Sequence, residues 1–133
     1  MTTSRRGRDL LQVWKEFDDL LRELTSLVDV VVVEGLRDLE ALRSLGYSGE
    51  VDVCSHVSVS DPDFCDSLSR RVESVLILTD FDREGRKMNR QLKRLLERKG
   101  VRVEAGLRSQ FGGLMAAIGV RVIEALDDAR FRL

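Results

Sequence analysis

The chain has 133 residues, 43% of them hydrophobic and 34% charged, and its 22 basic and 23 acidic side chains leave a formal net charge of −1. That length suits a single domain able to bury a sizeable core, and the balanced total does not forbid nucleic-acid binding, because local clustering of charge matters more than the sum. The sequence contains no 18-residue apolar stretch and no signal-peptide pattern, which excludes a membrane-spanning helix and points to a cytoplasmic protein.

In chain order, the amino terminus runs from Arg5, Arg6 and Arg8 into residues 9–26. There Leu10, Leu11, Val13, Trp14, Phe17, Leu20, Leu21 and Leu24 recur at helical spacing and predict an amphipathic opening helix. Trp14 and Phe17 read as core or oligomer contacts rather than base-stacking platforms. A strand is expected over residues 29–33, where Val30-Val31-Val32-Val33 form a continuous apolar run suited to burial on both faces that stops at Glu34-Gly35. Residues 36–45 carry Leu36, Leu39, Ala41, Leu42 and Leu45 on a helical face, with Gly46 as the stop. A short strand follows near Val51 and Val53. Residues 55–73 are the least regular, with Asp61-Pro62 predicting a helix start that continues through Phe64, Leu68 and Val72. A strand over 74–79, a helix over 85–99 ending at Gly100, a strand over 101–103 and helices over 107–118 and 120–130 complete the series. Strands alternating with helices predict an α/β fold, a parallel sheet with helices on both faces and right-handed crossovers. Cys54 and Cys65, separated by ten residues without a Cys-x-x-Cys pair or matching histidines, read as free thiols.

The chemistry concentrates where two apolar runs end. After Val75-Leu76-Ile77-Leu78-Thr79, carboxylates occupy every second position, Asp80, Asp82 and Glu84. In an extended segment, that spacing aims all three the same way, an arrangement that repels itself unless a cation sits among them. Hard oxygen ligands suit Mg²⁺, with Mn²⁺ as a substitute. Glu34 ends the earlier run and Asp38 follows across a helix start. Neighbouring strands would therefore bring Glu34 beside the acidic group, in the crevice beyond the strand ends where α/β sheets hold ligands. Between Arg83 and Lys99, eight basic residues face only Glu84 and Glu97, while Met88, Leu92, Leu95 and Leu96 form the buried stripe. A basic ridge starting beside a metal site is the footprint of something that tracks a phosphate backbone. Arg83, Arg86 and Lys87 are its candidate phosphate contacts, and Gly85 would admit a close backbone approach at the helix start.

The pair Val33-Glu34-Gly35-Leu36-Arg37-Asp38 and Thr79-Asp80-Phe81-Asp82-Arg83-Glu84-Gly85 resembles the two signature motifs of the Toprim domain. That domain is shared by primases, type IA and type II topoisomerases, OLD-type nucleases, recombination mediators and the ribonucleases that mature 5S ribosomal RNA. The resemblance implies a Toprim-like, Rossmann-like four-stranded parallel core over about residues 28–106, inside one domain spanning 1–133. Residues 1–27 would add an amino-terminal helix and residues 107–133 carboxyl-terminal helices. It implies Mg²⁺ on Asp80, Asp82 and Glu84, with Glu34 as general acid or base or as ligand to a second metal, and Gly35 and Asp38 in support. The expected function is a Mg²⁺-dependent phosphodiester enzyme of the nuclease type acting on RNA or DNA, alone or with a protein partner or a second copy. The alternative is a non-catalytic module that binds nucleic acid or a partner. A phosphatase of the haloacid dehalogenase type would need Asp80 as nucleophile and a lysine and acidic pair after a later strand, whereas Asp127-Asp128 falls in a terminal helix pattern. His56 and Tyr47, the sole histidine and tyrosine, have no support as catalytic groups, since nothing around Tyr47 marks a strand-transfer nucleophile. Arg102 and Arg108 flank the fourth strand's exit, where substrate contact and surface placement are both open.

Overall fold

The structure is a computed structural model that describes residues 9–55 and 59–132. Arg5, Arg6, Arg8 and His56 lie outside the described residues. The elements run α1 (Leu10–Leu27), β1 (Val30–Val33), α2 (Leu36–Ser44), β2 (Val51–Val53), α3 (Asp61–Ser69), β3 (Ser74–Ile77), α4 (Arg83–Arg98), β4 (Arg102–Val103), α5 (Ala105–Ile118) and α6 (Ala125–Phe131). The four strands form one parallel sheet in the order β2-β1-β3-β4, with Val32 opposite Ile77 and Val33 opposite Val53. This is the α/β parallel architecture that the alternation of runs predicts, with the four strands that the motif resemblance implies.

The valine run works because a strand turns alternate side chains to opposite faces. Val31 and Val33, with Leu76 and Leu78, enter a core shared with α1, α5 and α6. Val30 and Val32, with Val75 and Ile77, enter a second core against α3 and α4. Neither face of β1 or β3 meets water, so both strands are apolar except at Ser74, whose hydroxyl accepts from the Asp29 amide at 3.1 Å.

The added helices pack on the chain's own sheet. Asp9 caps α1 by accepting from the Leu11 amide at 3.0 Å, and the helix buries Val13, Trp14, Phe17, Leu20, Leu21 and Leu24. Phe17 and Phe111 of α5 lie 4.9 Å apart, centroid to centroid, in a tilted pair. Arg130 of α6 grips Asp18 of α1 with two hydrogen bonds of 2.6 and 2.9 Å and lies over the Trp14 ring. The helix of the irregular stretch starts where Pro62 predicts, capped by Ser60.

Several boundaries differ from the sequence expectation, among them the end of α3 at Ser69 rather than Val72 and the start of α5 at Ala105 rather than residue 107, and three have a clear local reason. β3 stops at Ile77 rather than residue 79, because the Ile77, Thr79 and Asp80 carbonyls turn toward the Arg108 guanidinium. α4 begins at Arg83 rather than residue 85, because Asp82 accepts from the Gly85 amide at 2.8 Å and caps the helix. The continuous helix expected from residue 120 starts only at Ala125: Gly119, at φ 98°, closes α5 in the left-handed conformation, and a turn follows.

Candidate functional site

The strand order decides the site. The chain passes from β1 to β2 on one side and then crosses to place β3 on the other, so the crevice beyond β1 and β3 is the point where the order reverses. Glu34 leaves β1 and Asp80 follows β3 at that point. The Asp80 amide donates to Glu34 Oε2 at 2.7 Å, joining two motifs 46 residues apart.

Each acidic side chain there is aimed by a backbone amide. Asp80 Oδ1 accepts from the Ile123 amide at 2.8 Å, and Asp82 Oδ1 accepts from the Gly85 amide at 2.8 Å. Asp38 Oδ2 accepts from the Gly35 amide at 2.9 Å, closing the first turn of α2. In Glu34, Asp80 and Asp82, one oxygen is held this way while its twin takes no hydrogen bond from the described residues. A carboxylate oriented through one oxygen presents the other to a cation or a proton.

The electrostatics agree with that geometry. Burial pushes the Asp80 carboxyl up to about 6, against the opposing pull of the Ile123 amide and with the nearby charges of Glu34, Asp38 and Asp82 adding to the rise. Asp38 is also raised, chiefly by burial. Concentrated negative charge at a partly dry strand end is the environment a divalent cation relieves.

Glu84 behaves differently from the expectation of three carboxylates facing one way. Residues 80–84 are not extended, so spacing by two does not aim them together: Asp80 sits in the loop, Asp82 is the helix cap, and Glu84 stands exposed in the first turn of α4. Among the described residues, no three His, Cys, Asp or Glu side chains are gathered closely enough to enclose an ion alone. The donor set therefore fits Mg²⁺ in its usual mode, one or two carboxylates with the remaining positions left to water and substrate phosphate. Asp80 and Asp82 are the ligand candidates, with Glu34 beside them.

Gly85 is required by the chain itself. A Cβ there would run into the Asp80 backbone carbonyl, and the Gly85 carbonyl accepts from the Thr79 hydroxyl at 2.6 Å. Its amide is engaged by Asp82. Arg83, Arg86 and Lys87 project from the exposed side of α4, and Arg86 donates to the Phe81 carbonyl at 3.1 Å.

Arg108 is the residue sequence reasoning underrated. It is buried, it donates to the Ile77, Thr79 and Asp80 carbonyls at 3.0, 2.9 and 3.2 Å, and its guanidinium lies 4.1 Å over the Phe81 ring. Burial brings its pKa down to about 10, with Glu34 and Asp80 holding it up. A signal was present: Arg108 falls three and seven residues before Phe111 and Met115, on the buried stripe of α5. The loop at 121–123 carried no such signal, since it acts through backbone, the Arg121 carbonyl accepting from the Phe81 amide and the Ile123 amide holding Asp80. Arg102 pairs with Glu104 on the surface. Tyr47 is buried beneath Gly49, with its hydroxyl pKa raised by burial.

The model of the Toprim domain family matches residues 29–105. A UPF0292 protein of Thermococcus onnurineus is 32% identical over 115 residues, covering 86% of this chain and 81% of that protein. A UPF0292 protein of Methanocaldococcus jannaschii is 33% identical over 97 residues, covering 72% and 73%. Among solved structures, a protein from Aquifex aeolicus superposes with a TM-score of 0.63 at 28% identity, over 88% of this chain and 97% of that one. Among the described residues, no helix is long and apolar enough to cross a membrane.

Proposed function

This chain belongs to the Toprim domain family, and from that premise we propose that it is a Mg²⁺-dependent phosphodiester enzyme of the nuclease type acting on nucleic acid. Toprim domains are a metal-binding, nucleic-acid-related fold and generally bind Mg²⁺. The observation that carries the finer reading is the junction of Glu34 with the Asp80 amide at the switch point, beside two carboxylates each with a free oxygen.

Asp80 and Asp82 would hold Mg²⁺ through the oxygens their amide partners leave free. Mg²⁺, when bound there, polarises a phosphoryl oxygen and offsets the charge that builds in an in-line displacement. Glu34, fixed through Oε2, has Oε1 to take a proton from the attacking water or hydroxyl, or to return one to the leaving oxygen. Asp38 locks the turn that follows Glu34 by holding the Gly35 amide. Arg83, Arg86 and Lys87 contact the phosphate backbone beside the scissile bond. All of this lies in one domain whose core spans about residues 28–106. The exposed position of Glu84, which leaves the carboxylate set smaller than three, favours a second reading, a binding module without catalysis.

Cleavage of end-labelled single-stranded and duplex RNA and DNA with Mg²⁺ or Mn²⁺ separates the two. Glu34→Gln keeps an acceptor for the Asp80 amide and Asp82→Asn keeps the helix cap, so both variants should fold and both should lose the metal-dependent products. Undiminished cleavage by either variant removes its residue from the chemistry. Binding by all three proteins without any cleavage establishes the module instead.

A further inference from the structure

A cleft of about 730 Å³ opens between α4 and α5, next to the carboxylates but not among them. Phe81, which lines it, sits in the chain between Asp80 and Asp82. Gly112 and Ala116 provide small surfaces on α5, and Arg86, Arg90 and Arg121 bring positive charge from α4 and the following turn. Among the described residues, no carboxylate lines the cleft. The Arg90 and Arg121 side chains make no ion pair or hydrogen bond with the described residues, and Arg86 donates only to the Phe81 carbonyl. Arg86 also lies near enough to Arg108 to help lower the latter's pKa. Guanidinium groups left crowded and unpaired at a concave surface are matched by phosphate oxygens.

The wall is built to stay open. A Cβ at Gly112 would come within 2.7 Å of the Phe81 ring, so the bare helix lets the ring lie against it while Arg108 packs 4.1 Å from the ring centroid. The size falls in the roughly 300–1,000 Å³ range of small-ligand sites. That volume matches one base with its sugar and phosphate, whereas in a duplex the bases remain paired and stacked and are not free to enter it. Ser109, Gly112, Ala116 and Arg121 all lie beyond the 29–105 segment that matches the family, so much of this cleft belongs to the added helices.

We propose that the cleft between α4 and α5 is a subsite for one unstacked nucleotide, with its phosphate among Arg86, Arg90 and Arg121 and its base against Phe81, Gly112 and Ala116. The inference rests on the phosphodiester reading and narrows its substrate to single strands and frayed ends. Cleavage at the neighbouring carboxylates then requires a nucleotide drawn out of any helix.

The test is fluorescence anisotropy of the full chain with labelled single-stranded DNA and RNA and with blunt duplexes of the same sequences, in EDTA at fixed salt. Ala116→Phe fills the cleft from an exposed helical position without touching charge or carboxylates. Single strands should bind about tenfold more tightly than duplexes, and Ala116→Phe should remove that margin while leaving duplex binding unchanged. Arg121→Ala, which leaves the helices intact, should weaken single-strand binding and flatten its salt dependence by about one phosphate contact. The DNA and RNA arms identify which strand the site takes. Equal affinity for single strands and duplexes, or unaltered binding by both variants, overturns the subsite and leaves the catalytic reading to the Glu34→Gln cleavage assay. No binding of any nucleic acid, either in EDTA or by the Glu34→Gln variant with Mg²⁺ added, overturns both.

Discussion

Replacing Asp80 by Asn should stabilise the metal-free protein, although Asp80 lies at the centre of the site. The carboxyl rises from 3.8 to about 6, mainly through burial. At about 1.4 kcal/mol per pKa unit, a change near two units sets a ceiling of ~3 kcal/mol. The side chain keeps some contact with water, so solvent screening reduces this to about 1–2 kcal/mol. The sign follows from proton binding. Below pH 3.8, the group is neutral in both states and costs nothing. Between 3.8 and about 6, the folded chain retains a proton that the unfolded chain has lost, so this group lowers stability as pH rises; above about 6, the penalty is complete. Asn carries no charge at any of these values, and its Oδ1 can still accept from the Ile123 amide. Thermal unfolding in EDTA at pH 7.5 should therefore show Asp80→Asn melting about 3–8 °C above the native chain, with the difference vanishing near pH 3.5. Adding Mg²⁺ should raise the native melting temperature and not that of the variant. A variant less stable than the native chain in EDTA at pH 7.5 would refute the argument, because Asp80 would then be holding the fold together.

Three further outcomes follow from particular contacts. Gly85→Ala should cost about 1–3 kcal/mol in urea denaturation, since its Cβ meets the Asp80 backbone carbonyl rather than a yielding side chain; a neutral result would mean that the loop has slack. Arg108→Lys should cost roughly 2 kcal/mol or more in the same assay, because a single ammonium nitrogen on a shorter side chain cannot reproduce the two-nitrogen fork that meets the three carbonyls, nor lie flat over the Phe81 face; full stability in that variant would show that the guanidinium fork is dispensable. Cys54 and Cys65, both buried with thiols pushed up to about 11 chiefly by burial, should resist alkylation at pH 8 in the folded chain and react in urea; rapid labelling without denaturant would contradict their burial.

Much of the architecture is legible from local pattern. Val30–Val33 and residues 75–77 are recognisable because a doubly covered parallel strand is apolar along its buried length. α1 and α4 are recognisable because a helix buries one stripe. Pro62 and Gly46 mark a start and a stop by their own backbone restrictions. The gathering of Glu34, Gly35, Asp38, Asp80 and Asp82 is foreshadowed too, since both groups follow strand ends, and strand ends are where α/β sheets collect ligands.

The elements, their alternation and the two acidic strand ends are thus encoded locally, since each depends on a period or punctuation confined to a few neighbouring residues. The adjacency of β1 and β3 arises from long-range packing, which turns two separate motifs into the 2.7 Å contact between Glu34 and the Asp80 amide. That packing also curled residues 80–84 into a helix start, leaving Glu84 in solvent, and turned Arg108 inward beneath the loop. The helical register of Arg108 marks it as inward-facing but does not name the three carbonyls it meets, and a backbone amide such as that of Ile123 leaves no trace in side-chain chemistry. Such contacts depend on how distant segments pack, and that information is spread over the whole chain.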